Sequence, residues 1–442
     1  MAEYSLGKVQ IVTAEPSQSG FRGLGITQKL LEAIGRLNYS EPTPVQKQAI
    51  PIGIEGRDLI AIAQTGTGKT IAFGIPMIQR LGQNPNGRGL IVVPTRELAY
   101  QVDEAVRCIC KANQMQTAVI IGGVSMEPQC RALARKPNII IATPGRLLDH
   151  LKQKTLSLAN VEILVLDEAD RMLDMGFAPD INRIISALTH RRQTMLFSAT
   201  MPEEILTIAR KHMDNPMLIE VARSGASPEE ISHELFFVDN RDKPQLLEIQ
   251  LRKRSGSTLV FTRTKHGASK LARRIRAMGH SVAEIHSNRS LRQRFSALDG
   301  FKDGGFRVLV ATDIAARGID VTDIALVINY DLPSTSEDYV HRIGRTGRAG
   351  KNGHAISFAT FDQEGDIRDI ESLMNSSLPV SALPFAPSQR TAPHMSRTPS
   401  RTLPLSRAQK VPQASSSVNK SDSERTYGRR RINVKGRGKR RR

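Results

Sequence analysis

No stretch of this 442-residue chain approaches the roughly 20 consecutive apolar residues that a membrane-crossing helix needs. The opening residues MAEYSLGKVQIV also lack a basic segment followed by an apolar one, so no secretory leader is read there. Both absences point to a cytoplasmic or nuclear protein with no membrane attachment. Cysteine is scarce. Cys108, Cys110 and Cys130 are odd in number and have no second pair at zinc-binding spacing, which argues against a disulfide framework or a metal knuckle and leaves inert thiols. Acidic residues are nearly missing from one region. From Ser381 to Arg442 the chain holds 16 Lys or Arg against 2 Asp or Glu, whereas the preceding 380 residues hold 47 against 41. Most of the net charge of +20 therefore sits in the tail. A balanced body with a basic extension suggests nucleic acid as partner, because cationic side chains displace counterions from phosphates. Solubility or targeting is the alternative reading of the same charge.

A chain of this length exceeds what one core usually serves, so two domains and tails are expected. From Gly23 onward, short runs rich in Ile, Val and Leu alternate with amphipathic stretches. That is the pattern of a doubly wound parallel sheet covered on both faces. The strand candidates in the first half are Leu59 to Ala63, Leu90 to Val93, Ala118 to Ile121, Ile139 to Ala142, Glu162 to Leu166 and Thr194 to Phe197. VARSGASPEE, from Val221 to Glu230, has no apolar periodicity and reads as a linker. A second alternating series follows, at Ser257 to Phe261, Val282 to Ile285, Arg307 to Ala311, Ala325 to Asn329 and His354 to Phe358. The expected division is a flexible segment at 1–20, an α/β domain at 21–220, a linker at 221–230, a second α/β domain at 231–376 and a disordered basic tail at 377–442.

The octet AQTGTGKT, Ala63 to Thr70, lies between an apolar run and a helical one. Gly66 and Gly68 permit a backbone path closed to residues with a β-carbon, so the N–H groups of Thr65, Gly66, Thr67 and Gly68 can turn inward around phosphate oxygens. Lys69 would add charge at the β and γ phosphates, and the Thr70 hydroxyl would be a ligand for Mg2+. A glycine-rich strand-to-helix turn without ligand is the alternative. About a hundred residues on, the apolar run of ILVLDEAD ends in Asp167 and Glu168. A buried strand that delivers two carboxylates to a phosphate site is how a second nucleotide motif is built. Asp167 would hold Mg2+ and Glu168 would orient and deprotonate a water.

From about Phe21 to Phe361 the ordered series of motifs resembles the DEAD-box ATP-dependent RNA helicases of superfamily 2. The short N-terminal extension and basic tail are most similar to the bacterial RhlE type. The resemblance implies two tandem RecA-like domains, ATP and Mg2+ as cofactors, and RNA-stimulated ATP hydrolysis coupled to local, non-processive unwinding. Tyr39 and the run EPTPVQ ending at Gln46 resemble the adenine-recognising segment, with Tyr39 stacking and Gln46 pairing to the base edge. Asn38 stands where the family has Gly. Pro94, Thr95 and Arg96 of PTREL, the pair Gly122 and Gly123, and Thr143, Gly145 and Arg146 of TPGR resemble RNA-contacting motifs. In the second half the same is implied for Thr264, Arg294, Thr312, Asp313 and Gly318. SAT, with Ser198 and Thr200, is implied to couple the DEAD loop to RNA through Asp170, with His341 in the same coupling. Arg345 and Arg348 of HRIGRTGRAG are implied arginine fingers, and Asp320 a ribose ligand. Leu291 departs from the family glutamine three residues before Arg294, and Ser287 from a common Gly. The resemblance further implies a monomer working in ribosomal or RNA-decay assemblies. An ATP-gated RNA clamp and an annealing protein acting through its basic tail are the rival functions.

Overall fold

The short apolar runs form two parallel sheets. The computed structural model describes residues 10–11, 20–64, 66–84, 86–188, 192–221, 231–316, 324–347 and 353–386. The first sheet contains β1 (Gln10–Ile11), β2 (Leu59–Ile62), β3 (Arg88–Val92), β4 (Thr117–Ile120), β5 (Ile139–Ala142), β6 (Val161–Leu166), β7 (Gln193–Ser198) and β8 (Met217–Glu220). Their spatial order is β1-β8-β2-β7-β6-β3-β5-β4, and every pairing is parallel. Successive side chains of one strand enter opposite cores. Leu59 and Ala61 face a layer built from α1 (Gln28–Arg36), α2 (Pro44–Glu55), α3 (Lys69–Leu81) and α4 (Arg96–Cys110). Ile60 faces the layer of α5 (Met126–Ala134), α6 (Pro144–Lys152), α7 (Ala169–Asp174), α8 (Ala178–Ser186) and α9 (Glu203–His212). A strand buried on both faces reads as an unbroken apolar run, which is why these strands are visible in the sequence.

The second sheet contains β9 (Ile231–Phe237), β10 (Thr258–Phe261), β11 (Val282–Ile285), β12 (Val308–Ala311), β13 (Leu326–Asn329) and β14 (Gly353–Ala359), in the order β11-β12-β10-β13-β14-β9, again all parallel. On one face lie α10 (Lys243–Lys253) and α11 (Lys265–Ala277). On the other lie α12 (Leu291–Lys302), the short α13 (Asp313–Ala316), α14 (Ser336–Ile343) and α15 (Glu364–Met374). We call the two layered units the first and second lobes.

Three strands have no counterpart in the sequence reading. β1 lies within the segment expected to be loose, and its two residues pair with β8, since a sheet edge accepts any extended backbone. β8 is only four residues long. β9 is an edge strand with the mixed sequence ISHELFF. The linker after Val221 and most of the expected tail fall outside the described residues. Residues 377–386, where that tail was expected to begin, return to the second lobe: the Pro379 carbonyl accepts the Leu235 N–H, and Leu383 and Phe385 pack on the core. Cys110 is buried, and burial together with nearby Asp103 pushes its thiol up to about 12, so it carries no thiolate. No helix among the described residues is long and apolar enough to cross a membrane.

The amino ends of the first lobe's central strands are tied down by polar groups. Asp58, just before β2, is buried, and its carboxylate accepts the Thr194 N–H at 2.6 Å and the Asp214 N–H at 2.7 Å. Gln193 donates to the Gly53 and Arg57 carbonyls. Burial raises the Asp58 pKa, and the two N–H donors and Arg192 oppose that rise. Asp58→Ala strands both N–H groups in a dry site. Guanidinium unfolding of the whole chain should show the first lobe's transition destabilised by about 3 kcal/mol.

Candidate functional site

Because all strands of a sheet run the same way, their carboxyl ends, and the loops that follow them, share one edge. Strand order then sorts the motifs. The Gly-rich octet follows β2, SAT ends β7 and the DEAD acids follow β6, and these three strands are neighbours. PTREL follows β3, TPGR follows β5 and the glycine pair follows β4, and these form the other half of the edge.

In the phosphate-loop half, Gly66 and Gly68 have φ of 83° and 86°, in the left-handed region that a β-carbon disfavours. A β-carbon on Gly68 would also collide with Nε2 of Gln46. Thr67, between the two glycines, divides its roles. Its hydroxyl donates to the Gln64 carbonyl at 2.7 Å and so closes the loop on itself, which leaves its N–H, the group expected to meet phosphate, free of that bond. Lys69 opens α3. Its ammonium is buried, lacks a hydrogen-bond partner, and lies 3.8 Å from Oδ1 of Asp167. A buried ammonium without an acceptor is costly, and an anion at the helix N-terminus would supply one. The residues present therefore fit a nucleotide phosphate. Asp167 and the half-buried Thr70 offer the oxygen donors that Mg2+ takes. Burial pushes Asp167 up to about 6, with Lys69 opposing and Glu168 adding to the shift. Gln46 is committed within the protein: its Oε1 accepts the Thr43 N–H and its Nε2 donates to the Gly68 carbonyl, both at 3.0 Å. Tyr39 is 41% exposed, open for stacking. Asn38 before it has φ of 61°, which explains the departure from Gly, since Asn tolerates that conformation best among residues with a β-carbon.

Glu168 also has a left-handed backbone, φ 52°, an unfavourable state for a residue of its kind and one that clusters at functional sites. Its carboxylate is buried and held by Arg171 at 2.6 Å. Asp170 is wired to SAT. Oδ2 accepts from Ala199 N–H, Thr200 N–H and the Thr200 hydroxyl at 3.0, 2.9 and 3.1 Å, and the Asp170 N–H donates to the Ser198 hydroxyl. Burial would raise the Asp170 pKa. Lys69, the Arg171 N–H, His341 and Thr200 outweigh it and hold the carboxyl below its usual range. His341 comes from α14 of the second lobe. Burial and Arg171 depress its pKa, against the pull of Asp170.

The two lobes therefore meet at this point. A small cleft is lined by Arg171 from the first lobe and by Phe261, Asp313, Asp338, His341, Arg342 and Arg345 from the second. Arg345 is 6% exposed. Arg342 forms a bidentate pair with Asp313 at 2.5 and 2.7 Å, donates to Asn329 and to the Asp331 carbonyl, and lies over the Phe261 ring. Asp313, expected among RNA contacts, instead anchors this arginine: an anion beside a phosphate backbone would be repelled, whereas the guanidinium fork matches its carboxylate.

In the other half of the edge, the first-lobe residues expected to meet RNA lie on neighbouring loops. Arg96 lies so close over Gly123 that a β-carbon there would overlap its guanidinium, and Gly123 has φ of 73°. Arg146 donates to the Val124 carbonyl at 3.0 Å. Thr95 and Thr264 cap α4 and α11, accepting the N–H of Leu98 and Gly267. Pro94 and Thr312 are buried, Thr143 precedes α6, and Gly145 faces open space. Arg294 differs from the expectation. It pairs at 3.1 Å with Glu97 of the first lobe, which is 1% exposed, so its charge closes the lobes and is not offered to a backbone. Leu291 packs against the first lobe's core, and Phe295 meets Tyr100 edge-on at 5.4 Å. Thr65, Gly318, Asp320 and Arg348 lie outside the described residues. Sequence reasoning missed Arg171, Arg342 and Glu97. Arg171 sits three residues after Glu168, the spacing of a helical ion pair, so it had a legible signal. Glu97 and Arg342 find partners only in three dimensions.

Comparison with known proteins bears on this arrangement. Family profiles match twice: "DEAD/DEAH box helicase" over residues 43–208 and "Helicase conserved C-terminal domain" over 242–350. The chain is 43% identical over 358 residues to the ATP-dependent RNA helicase CshA of Listeria monocytogenes, covering 79% of this chain and 68% of the relative. It is 42% identical over 351 residues to the ATP-dependent rRNA helicase rrp3 of Aspergillus fumigatus, covering 78% and 74%. The structure of S. cerevisiae Dbp5 bound to RNA and ADP BeF3 is similar at a TM-score of 0.72 and 30% identity, over 82% of this chain and 96% of that one. With two tandem RecA-like lobes, and with a phosphate loop and the DEAD acids at adjoining strand ends, the chain belongs to the DEAD-box ATP-dependent RNA helicases.

Proposed function

We propose that this RNA helicase hydrolyses ATP between its lobes with the residues assigned above. The observation that carries the reading is the buried Lys69 ammonium, which lacks a hydrogen-bond acceptor on the first lobe, while Asp170 interacts electrostatically with both Lys69 and His341, and His341 shares a cleft with Arg345 on the second lobe. The N–H groups of Thr65, Gly66, Thr67, Gly68, Lys69 and Thr70 and the Lys69 ammonium hold the phosphates, Tyr39 and Gln46 the base, and Asp320 the ribose. Thr70 and Asp167 would hold Mg2+, which when bound neutralises charge on the β and γ phosphates. Glu168, oriented by Arg171, takes the proton of the attacking water as the water oxygen bonds to the γ-phosphorus and the bond to the β–γ bridging oxygen breaks. Arg345 and Arg348 stabilise the charge that develops. Asp170, Ser198, Thr200 and His341 link that event to the RNA half of the edge. There Pro94 to Arg96, Gly123, Thr143 to Arg146, Thr264, Thr312 and Gly318 follow the backbone of a single strand.

The likeness to an RNA-bound and nucleotide-bound relative supports a shared clamp. We assign the ATP-binding domain to 21–220 and the C-terminal helicase domain to 231–376, with a lead-in at 1–20, a linker at 221–230 and a basic tail at 377–442 whose first residues pack on the second lobe. One chain supplies both sides of the cleft, which supports a monomer. Cytoplasmic work on ribosomal or RNA-decay assemblies, and the RhlE type, accord with the basic tail and with rRNA helicases among its relatives.

ATP turnover measured with and without single-stranded RNA tests the assignment. The parent should be RNA-stimulated. Glu168→Gln should bind ATP with parental affinity while turnover falls at least about a hundredfold. Arg345→Ala should lower RNA-stimulated turnover by about a thousandfold at unchanged nucleotide affinity, and undiminished turnover would overturn the finger role. Leu291→Gln, which replaces an apolar interlobe contact with an amide, should raise the RNA concentration needed for half-maximal turnover several-fold and leave the rate at saturation unchanged.

A further inference from the structure

α11 carries Lys265, Lys270, Arg273, Arg274 and Arg276 with His266 and no acidic residue. Among the described residues, every other helix of eight or more residues holds at least one Asp or Glu, except α3, whose Lys69 faces the phosphate site. No carboxylate occurs in the sequence between Arg254 and Glu284. Ala268, Leu271, Ala272 and Ile275 are buried against the sheet, which leaves His266, Lys270, Arg273 and Arg274 on the opposite, solvent side. None of these cations is ion-paired among the described residues. Carboxylates on flanking elements of the second lobe are already engaged: Glu248 by Arg252 at 2.7 Å, Asp331 by Lys243 and Thr262, and Glu284 by Arg289 and His286.

An uncompensated row of cations is electrostatically unfavourable for the isolated protein, and a polyanion relieves it. Two further features indicate which polyanion. α11 starts at Thr264, its cap and one of the residues assigned to the RNA path, and leads away from it for about 20 Å. Leu383 and Phe385 also pack on the apolar cluster beneath α10 and α11, so the described chain ends on the same face of the second sheet, just ahead of the basic sequence 387–442. Among the described residues the exposed large apolar ones are Tyr39, Tyr100, Phe361, Leu373 and Val380, so none is on α11. Surfaces for single strands combine charge with aromatic platforms for the bases, whereas duplex RNA is met mostly through its shape and backbone.

We propose that the outer face of α11 is a second RNA-binding surface, which holds the phosphate backbone of a duplex flanking the strand clamped between the lobes. It reads no sequence, and it tethers the helicase beside the base pairs on which it acts. The proposal rests on the helicase activity but not on the roles of individual catalytic residues.

The test uses the full chain carrying Lys270→Gln, Arg273→Gln and Arg274→Gln together. Two probes are compared by fluorescence anisotropy in the presence of a non-hydrolysable ATP analogue across a KCl series. One is a short single-stranded RNA and the other is the same strand joined to a hairpin duplex. The duplex-bearing probe should bind about tenfold more weakly, and its slope of log affinity against log salt should fall by about 2 to 3. Affinity for the single strand, and ATP turnover stimulated by it, should stay parental, which also reports an intact fold. Equal loss on both probes overturns the proposal. So does an unchanged duplex affinity, which would leave the row of cations to an acidic protein partner.

Discussion

A buried ammonium without a hydrogen-bond acceptor is the constraint around which the first lobe is arranged. Lys69 sits where a strand, a glycine turn and a helix N-terminus converge, with a carboxylate 3.8 Å away that is itself disfavoured by burial. Neither charge satisfies the other fully, so the pair holds a site that a phosphate and Mg2+, as proposed, would complete. The neighbouring Glu168 adds a backbone strained into the left-handed region. Such features lower the stability of the unliganded protein and are retained where ligand binding needs them already in place.

The second lobe reaches this site through residues that are themselves tightly held. Arg342 is fixed by Asp313, Asn329 and the Asp331 carbonyl, which sets the short helix that carries His341 and leads into Arg345. On the RNA side, closure uses a different chemistry. Leu291, Arg294 and Phe295 follow one another at helical spacing on α12 and meet the first lobe through an apolar contact, an ion pair with Glu97 and an edge-on ring contact with Tyr100. Leu291 makes its part of this contact apolar, a form of contact that salt does not screen.

Much of this is legible in the sequence, for a physical reason. Strands covered on both faces read as continuous apolar runs, so β2, β3, β5, β6, β10 and β13 lie within two residues of where the sequence puts them. The motifs sit directly after them. The edge strands β1 and β9 lack that signature, and β8, which pairs with β1 and β2 but ends in the exposed Glu220, leaves no comparable trace either. Site residues drawn from contiguous motifs, such as Lys69, Asp167 and Arg96, fall where the spacing predicts. Within the octet itself the sequence shows that Thr67 belongs to the loop, but not that its hydroxyl is spent on the Gln64 carbonyl. Nor does it show the pairing across the cleft: Glu97 with Arg294, and Arg342 with Asp313. The commitment of a side chain to a distant partner is set by tertiary geometry, and so Arg294 and Asp313 read as free contacts for RNA when they are structural ties.

The carboxamide of Gln46 spans two functions at once. One end closes the capping box of its own helix, and the other grips the carbonyl of the glycine that turns the phosphate loop. A purine that competes for either end must tug on that glycine, and through it on the orientation of Lys69, the next residue. With Gln46 reading the base as proposed, identity of the base would thereby be transmitted mechanically to the grip on the triphosphate, and an ill-matched nucleoside would be penalised in how well it reacts as well as in how tightly it is held.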